Sequence, residues 1–575
     1  MQLPEKKWIL TPADKEKVAS LKNELKVSEE ICTLLVQRDI YTFDSAKDFF
    51  RPELSHLHNP FLMKDMDKAV DRILEAISQN QKVLVYGDYD VDGTTAVTLM
   101  YDFLSHAIQN LDFYIPNRYK EGYGISTAGI EFASREGFHL VIALDCGIKA
   151  VEKIKYAKEL GVDFIICDHH LPGEELPPAH AVLDPKQSDC NYPYKELSGC
   201  GVGFKLIQAL KAKTNNPAFP DPCDYLDLLA ISIGCDIVPI TGENRVLAYY
   251  GLQKINESPR KGVEAILKTG SIKKEITIMD LVFVIGPRIN AAGRIADAKN
   301  AVYTLLSKNV ETANDEAKIL NKRNTNRKEL DKQITESATQ LILNDPEYPA
   351  KKTTLVFHPE WHKGVIGIVA SRLVERFYRP TIVFTESNDM ITASARSIEG
   401  FNIHDAIKKA SGNLEQFGGH FYAAGLSLKK ENLQAFMEEF ERIVAETITE
   451  EQLIPRVKID AELDFQRINP KFLQTINQFA PFGPGNMRPI FVSKALHKYG
   501  NYRIVGDHHL KITFKAEKTA AIPAIGFNLA EKAGYLGETE MYDICYCLSE
   551  NEWQGVKSLQ LELKDLKKSS LAVWN

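Results

Sequence analysis

Nine cysteines are scattered through 575 residues without a single Cys-x-x-Cys pair. That absence excludes a zinc ribbon or finger and any disulfide scaffold, and it points to a reducing compartment, the cytoplasm. Long apolar runs are missing as well. None approaches the ~20 residues of a membrane span, and the start, MQLPEKKWILTPADKEK, has no apolar core of signal-peptide length. No membrane association is expected. A basic excess is also lacking, since 70 Lys and Arg against 77 Asp and Glu leave a net charge of −7. Phosphate binding ordinarily needs a basic surface, so a nucleic-acid partner would have to be met by local clusters of cations. Core-forming residues are plentiful: 44% hydrophobic content is ample for the three or more domains that this length predicts.

Residues 83–93 read VLVYGDYDVDG, an apolar run ending in Asp88, Asp90 and Asp92 at alternate positions. Carboxylates this close repel one another, so the cluster calls for bound cations. The same grammar recurs downstream. VIAL (141–144) runs into Asp145, FIIC (164–167) into Asp168, His169 and His170, AVL (181–183) into Asp184, and LLAISIGC (228–235) into Asp236. A single Asp after a strand is ordinarily a helix cap or a turn residue; the repetition is what carries weight. Short apolar runs of this kind read as parallel strands of an α/β domain, covered on both faces. Ligands of such sheets bind outside the carboxyl ends of the strands, so four or five strands would bring these acids and imidazoles to one crevice. Carboxylates plus imidazole without thiolate suit two ions of Mn²⁺ or Mg²⁺, and the His tilts the choice towards Mn²⁺. Two such ions roughly 3.5–4 Å apart activate water and clamp both oxygens of an in-line displacement at phosphorus. The reaction class expected is phosphoester hydrolysis.

YGDYDVDGTTA (86–96), ALDCG (143–147), CDHH (167–170), LDP (183–185) and GCDIVP (234–239) resemble the successive motifs of the DHH phosphoesterase superfamily. With GPRINAAGR (286–294), EWHKGVIGIVASR (360–372), GGHFYAAG (418–425) and PFGPGNMRPIF (481–491), the pattern resembles its RecJ family of single-strand-specific DNA exonucleases over residues 60 to 565. The resemblance implies metal ligands at Asp90, Asp92, Asp145, His169 and Asp236, with Asp92 or Asp145 bridging. Asp88 and His170 would orient ligands or substrate water, and Asp168 and Asp184 stand between that role and capping. Arg118, Ser394 and Arg396 would form a pocket for a terminal 5′ phosphate, and Gly418, Gly419 and His420 would grip the strand. Arg288 and Arg294, with Asn290 beside them, are candidates for transition-state charge or backbone phosphate contact.

The organisation implied is a two-lobed α/β core with a C-terminal OB-like β-barrel. A charged, helical N-terminal cap covers 1–60, the catalytic domain 61–305, a long connecting helix 306–345, the DHH-associated domain 346–450 and the OB-like domain 451–575. The helix stripe is Val310, Ala313, Ala317, Leu320, Leu330, Ile334, Ala338 and Leu341, broken by NKRNTNRKE (321–329), a solvated face or a phosphate-facing patch. In the last domain Tyr499, Tyr502, Arg503, Lys511, Phe514, Lys515 and Trp553 are candidates for holding a strand, whereas His508 and His509 read as a loop end. A chain cut near Glu451 should keep the catalytic core folded. The function expected is a 5′→3′ exonuclease on single-stranded DNA, a monomer releasing 5′ mononucleotides in repair and recombination, supplied by a single-strand-binding protein and a helicase. Two other readings are a phosphodiesterase for short oligonucleotides or cyclic dinucleotides, which needs no strand-holding barrel, and a non-catalytic replication scaffold, which needs no intact ligand set.

Overall fold

The computed structural model describes residues 5–569, apart from 215, 273, 274, 296 and 539 and the side chains of 295 and 553. The chain divides into two units. The first comprises Thr42–Thr325 with Gln478–Arg488, the second Met1–Tyr41, Asn326–Asn477 and Pro489–Asn575. A strand at Lys7–Leu10 (β1) belongs to the second.

The first unit is built on five parallel strands: β2 (Val83–Gly87), β3 (Leu111–Tyr114), β4 (Leu140–Leu144), β5 (Asp163–Cys167) and β6 (Ala181–Leu183), in the order β3-β2-β4-β5-β6. Every residue of β2, β4 and β6 is buried, because helices cover both faces and leave no solvated side to alternate towards. One apolar run was misread by its composition. LLAISIGC is not a strand: Leu226–Cys235 is a helix, and it is buried on all sides, which removes the amphipathic stripe that distinguishes helix from strand.

Val310–Leu343 is one unbroken helix of 34 residues. Ala313, Ala317, Leu320, Ile334 and Ala338 of the expected stripe are buried, but Val310 and Leu341 are exposed and Ile342 takes the inward place after Ala338. Four-residue spacing from Ile334 keeps that side on one face.

The second unit holds a mixed sheet of β7 (Thr354–Phe357), β8 (Thr381–Ser387), β9 (Met390–Arg396), β10 (Gln416–His420) and β11 (Ala423–Leu428), ordered β10-β11-β9-β8-β7. Beyond β12 (Arg456–Ile459) and β13 (Ala461–Glu462) come β14 (Phe491–Lys498), β15 (Arg503–Val505), β16 (His509–Lys515), β17 (Ile522–Gly526), β18 (Met541–Trp553) and β19 (Val556–Lys568). Pairing runs β14-β18-β19-β17-β16, and β16 returns to β14, closing a ring of five strands.

Residues 1–60 are not one helical cap. β1 pairs in parallel with β12, and Trp8 is buried with its indole Nε1 donating to Asp565 at 2.8 Å, so the beginning of the chain is sewn into its last quarter. Helix Phe43–Phe50 instead lies in the first unit.

Candidate metal centre

Register sets the row of strand ends. Gly87 pairs with Leu144, Leu144 with Cys167, and Cys167 with Leu183. The next residue in each strand is an acid, so Asp88, Asp145, Asp168 and Asp184 leave the carboxyl edge of the sheet level with one another. Asp90 caps helix Val91–Ser105, its carboxylate accepting from the Gly93 N–H at 3.0 Å, which puts Asp92 in the first helical turn. Asp236 arrives from the other direction, as the C-cap of helix Leu226–Cys235.

These groups converge on His169. Its Nε2 stands 3.2 Å from an oxygen of Asp145, 3.6 Å from Asp236 and 3.8 Å from Asp92. Asp92 is held rigidly: its carboxylate accepts from the N–H groups of Gly199 (2.6 Å) and Cys200 (2.8 Å) and from the Ser232 hydroxyl (2.7 Å). Gly199 opens helix Gly199–Thr214, so the positive end of that helix lies on the carboxylate. A Cβ on Gly199 would sit 2.6 Å from that of Asp145, so only glycine lets helix and ligand approach this closely. None of Gly199, Cys200 and Ser232 was expected; SGCGVG (198–203), a glycine-rich helix start, was the available signal.

The electrostatics are those of a site that expects cations. Burial first, then the charges of neighbouring carboxylates, push the carboxyls of Asp88, Asp90, Asp145 and Asp236 upward. Burial also pushes the His169 imidazole down, keeping it neutral and able to ligate. Both ring nitrogens of His169 and both carboxylate oxygens of Asp88 are buried without a hydrogen-bond partner. Buried polar atoms are rarely left so, and oxygen and imidazole donors of this kind fit divalent Mn²⁺ or Mg²⁺. His170 stands beside them: Asp145, His169 and His170 bring possible ligand atoms within 4.8 Å of one another. Burial alone would raise Asp168, but the hydrogen bond and charge of His170 and the Ile148 N–H outweigh it and hold that carboxyl at about 2. The same 2.8 Å bond offsets the burial of His170 and raises its imidazole, whose Nε2 faces the Tyr123 hydroxyl at 3.2 Å. Burial lifts Asp184 to about 7 while it caps the Lys186 N–H.

Arg118 lies in the same unit, its guanidinium 5.0 Å over the Tyr89 ring in a cavity of about 150 Å³ that Lys299 also lines. Its charge and that of Arg294 both act on Tyr89 and Tyr119, which places the two guanidiniums beside the Asp88–Asp90 turn. Asn290, half-buried, is on the same helix as Arg294. Arg288 needs a correction. It is buried, and its guanidinium donates to the Thr269 hydroxyl and carbonyl, to Asn321 and to the Val284 carbonyl. Its Nε–H and one N–H on each Nη are taken by protein, so this buried side chain braces helices.

In the second unit, register aligns Gly418, Gly425 and Ser394 in one row across β10, β11 and β9, and His420, Ala423 and Arg396 in the next but one. Residues two apart share a face, so Ser394, Arg396, Gly418 and His420 lie together. Helix Ile366–Phe377 adds its start, where a Cβ on Gly367 would come 2.9 Å from the Arg396 guanidinium and 3.2 Å from the Ser394 hydroxyl. Gly419 has φ +151°, and a Cβ there would meet the Ala423 carbonyl at 2.3 Å. In the strand ring, Tyr499, Tyr502 and Arg503 are exposed and the Lys515 ammonium lies 5.6 Å over the Tyr499 ring. Phe514 is fully buried and is core, not a platform; the side chain of Trp553 lies outside the described residues. His508 is in a turn and His509 begins β16, its Nδ1 accepting from the Asn528 N–H.

Three family models match successive parts of the chain: the DHH family, N-terminal domain, at residues 82–233, the DHHA1 domain at 350–446, and the RecJ OB domain at 459–565. The single-stranded-DNA-specific exonuclease RecJ of Bacillus subtilis (strain 168) is 37% identical over 565 residues, 97% of this chain and 70% of that protein. The protein of the same name from Escherichia coli (strain K12) is 32% identical over 526 residues, 88% of this chain and 90% of its own length. The crystal structure of RecJ from Thermus thermophilus in complex with Mn²⁺ superposes with TM-score 0.83 at 26% identity, covering 98% of this chain and 80% of that one. Its complex with Mg²⁺ gives TM-score 0.77 at 25% identity, covering 98% and 79%. No described helix is long and apolar enough to cross a membrane.

Proposed function

The chain belongs to the RecJ family of single-stranded-DNA-specific exonucleases, and from that membership we propose that it degrades single-stranded DNA from the 5′ end, releasing 5′ mononucleotides in DNA repair and recombination. The observation that carries the reading is the convergence of Asp92, Asp145 and Asp236 on one unpartnered imidazole, that of His169. Asp90, Asp92, Asp145, His169 and Asp236 would hold two ions of Mn²⁺ or Mg²⁺. Such a pair, when bound, makes water nucleophilic near neutral pH and neutralises charge gathering on the phosphate.

The chain's own groups do the rest. The amide cradle at Gly199 and Cys200 fixes one oxygen pair of Asp92. The hydrogen bond to Asp168 raises the His170 imidazole and so favours its proton-bearing form, with Nε2 facing Tyr123 at the rim of the site. Ser394 and Arg396 take the terminal 5′ phosphate, and Gly418, Gly419 and His420 grip the strand behind it. The enzyme acts as a monomer in the cytoplasm, where a helicase or a single-strand-binding protein presents its substrate.

The test is digestion of single-stranded and duplex DNA, labelled at either end, with Mn²⁺, Mg²⁺ or EDTA. Metal-dependent release of labelled mononucleotide from the 5′ end of single strands is expected. Release from the 3′ end would overturn the polarity. Preference for di- or trinucleotides over long strands would instead support the short-substrate phosphodiesterase.

A further inference from the structure

Residues 478–488 follow the last helix before β14 in sequence, yet they pack with the first unit and not with their neighbours on either side. The segment, QFAPFGPGNMR, forms a tight loop. Gly483 and Asn486 exchange backbone hydrogen bonds at 3.1 and 2.8 Å, and the buried Asn486 side chain donates to the carbonyls of Phe479 (2.7 Å) and Pro481 (2.9 Å). Arg245, also buried, donates to Phe479 (2.8 Å) and Ala480 (3.0 Å) and stacks its guanidinium 3.8 Å over the Phe49 ring.

What this loop touches is the turn that follows Asp236. The Ile240 N–H donates to the Pro484 carbonyl at 2.7 Å. A Cβ on Gly483 would come 2.5 Å from the Ile240 side chain, and one on Gly485, at φ +72°, would come 2.9 Å from Thr241. Asn244 closes the other side through the Pro239 carbonyl at 3.0 Å. That turn is one that does not hold itself. Ile237, directly after the ligand, has φ +63°, a left-handed conformation that a β-branched residue adopts only under external constraint, and its side chain is exposed, so its own packing does not supply the constraint. Asp236 is also the most exposed of the three carboxylates around His169, at 24% against 1% and 2%.

We propose that Gln478–Arg488 is a positioning element for the metal ligand Asp236: a loop from the C-terminal part of the chain clamps residues 239–241 and thereby sets the carboxylate against His169. This rests on the metal-centre reading above. An ion held by Asp236 with Asp92 and His169 would be the one that depends on the loop.

The experiment is Mn²⁺ titration of the full chain, followed by EPR and by calorimetry, for wild type, Asp236→Ala, Gly485→Ala, Gly483→Val and Asn486→Ala, with circular dichroism for folding. Wild type should bind two ions and give a spin-coupled signal. Gly483→Val and Gly485→Ala should weaken one ion by about tenfold and leave an uncoupled single-ion spectrum, as Asp236→Ala does. A merely structural loop would lose both ions together, in proportion to unfolded protein, and that outcome overturns the proposal. So does wild-type binding in Gly485→Ala and Asn486→Ala, the mildest changes, should Gly483→Val fail to fold. A wild type that binds no Mn²⁺ pair would instead remove the metal reading itself.

Discussion

The side chains around His169 carry opposite pH signatures, and their sum can be measured. Asp88, Asp90, Asp145 and Asp236 are raised above their ordinary 3.8 in the metal-free fold, so the folded chain binds more protons than the unfolded one above that pH. Stability therefore falls as pH rises from about 4, and Asp184 adds to the fall up to about 7. Asp168, held at about 2, works the other way, but only as pH drops below 4, and His169, pushed below its ordinary 6.5, adds stability as pH rises towards that value, one group against the four raised carboxyls. His170, raised, contributes stability that is lost as pH climbs through its folded value. In EDTA the melting temperature should decline from pH 5 to pH 8, and Mn²⁺ should raise it more at pH 8 than at pH 5; a flat Mn²⁺ effect across that range would contradict the ligand set. At the phosphate-gripping residues the contrast is charge. Arg396→Ala should slow digestion of a 5′-phosphorylated strand relative to a 5′-hydroxyl one by about 10–100-fold, the loss of a charge-assisted contact of ~1.5–3 kcal/mol. Equal slowing of both would move Arg396 to an internal phosphate. The acids themselves were readable because each follows an apolar run. Arg288 was not, since nothing in GPRINAAGR distinguishes an arginine that meets phosphate from one that meets Thr269 and Asn321.

Elements bring those residues into contact, and here legibility depended on how each element meets solvent. The parallel strands were plain from their continuous apolar runs and their level acidic endings. The helix Leu226–Cys235 was hidden by the same property, because burial on every side erased its period. The helix start at Gly199 was hidden for another reason: its role is made by an approach of two backbones distant in sequence, which no local pattern records. That approach gives a sharp test. Gly199→Ala puts a methyl 2.6 Å from the Asp145 Cβ, and neither partner is a flexible side-chain end. The ligand or the helix must move by an ångström or so, and displacements of that size cost about 10²-fold in rate. Gly173→Ala, whose methyl would have nothing nearer than 3.7 Å, serves as control. Turnover and Mn²⁺ affinity should drop in the first and not in the second; wild-type turnover in Gly199→Ala would show that the helix start is free to retreat from Asp145.

At the scale of the whole chain, sequence order misled about modularity. Expecting a cut near Glu451 to leave an intact core treats the last quarter as an appendage, but β12 holds β1 and the 478–488 loop supplies acceptors to the buried Arg245. Removing two acceptors from a buried guanidinium costs about 1.5–3 kcal/mol for each bond, so truncation changes the core and the strand ring together. The ring's contribution has to be measured by substitution in the full chain. Arg503 sits directly opposite Lys511 in the β15–β16 pair, and Lys515, on β16, lies over Tyr499. Like charges paired across strands destabilise a sheet unless an anion lies between them, and exposed tyrosines beside them offer faces for bases. The net charge of −7 does not reveal such a local pairing of cations. If each of the three cations meets one phosphate, replacing Arg503, Lys511 and Lys515 with Ala should flatten the dependence of log affinity on log salt by about 2, at roughly 0.7 per contact on a single strand. Cleavage of very short oligonucleotides should change little. An unchanged salt slope with weaker binding would assign the ring's grip to stacking alone, and no change in either would assign it to a protein partner.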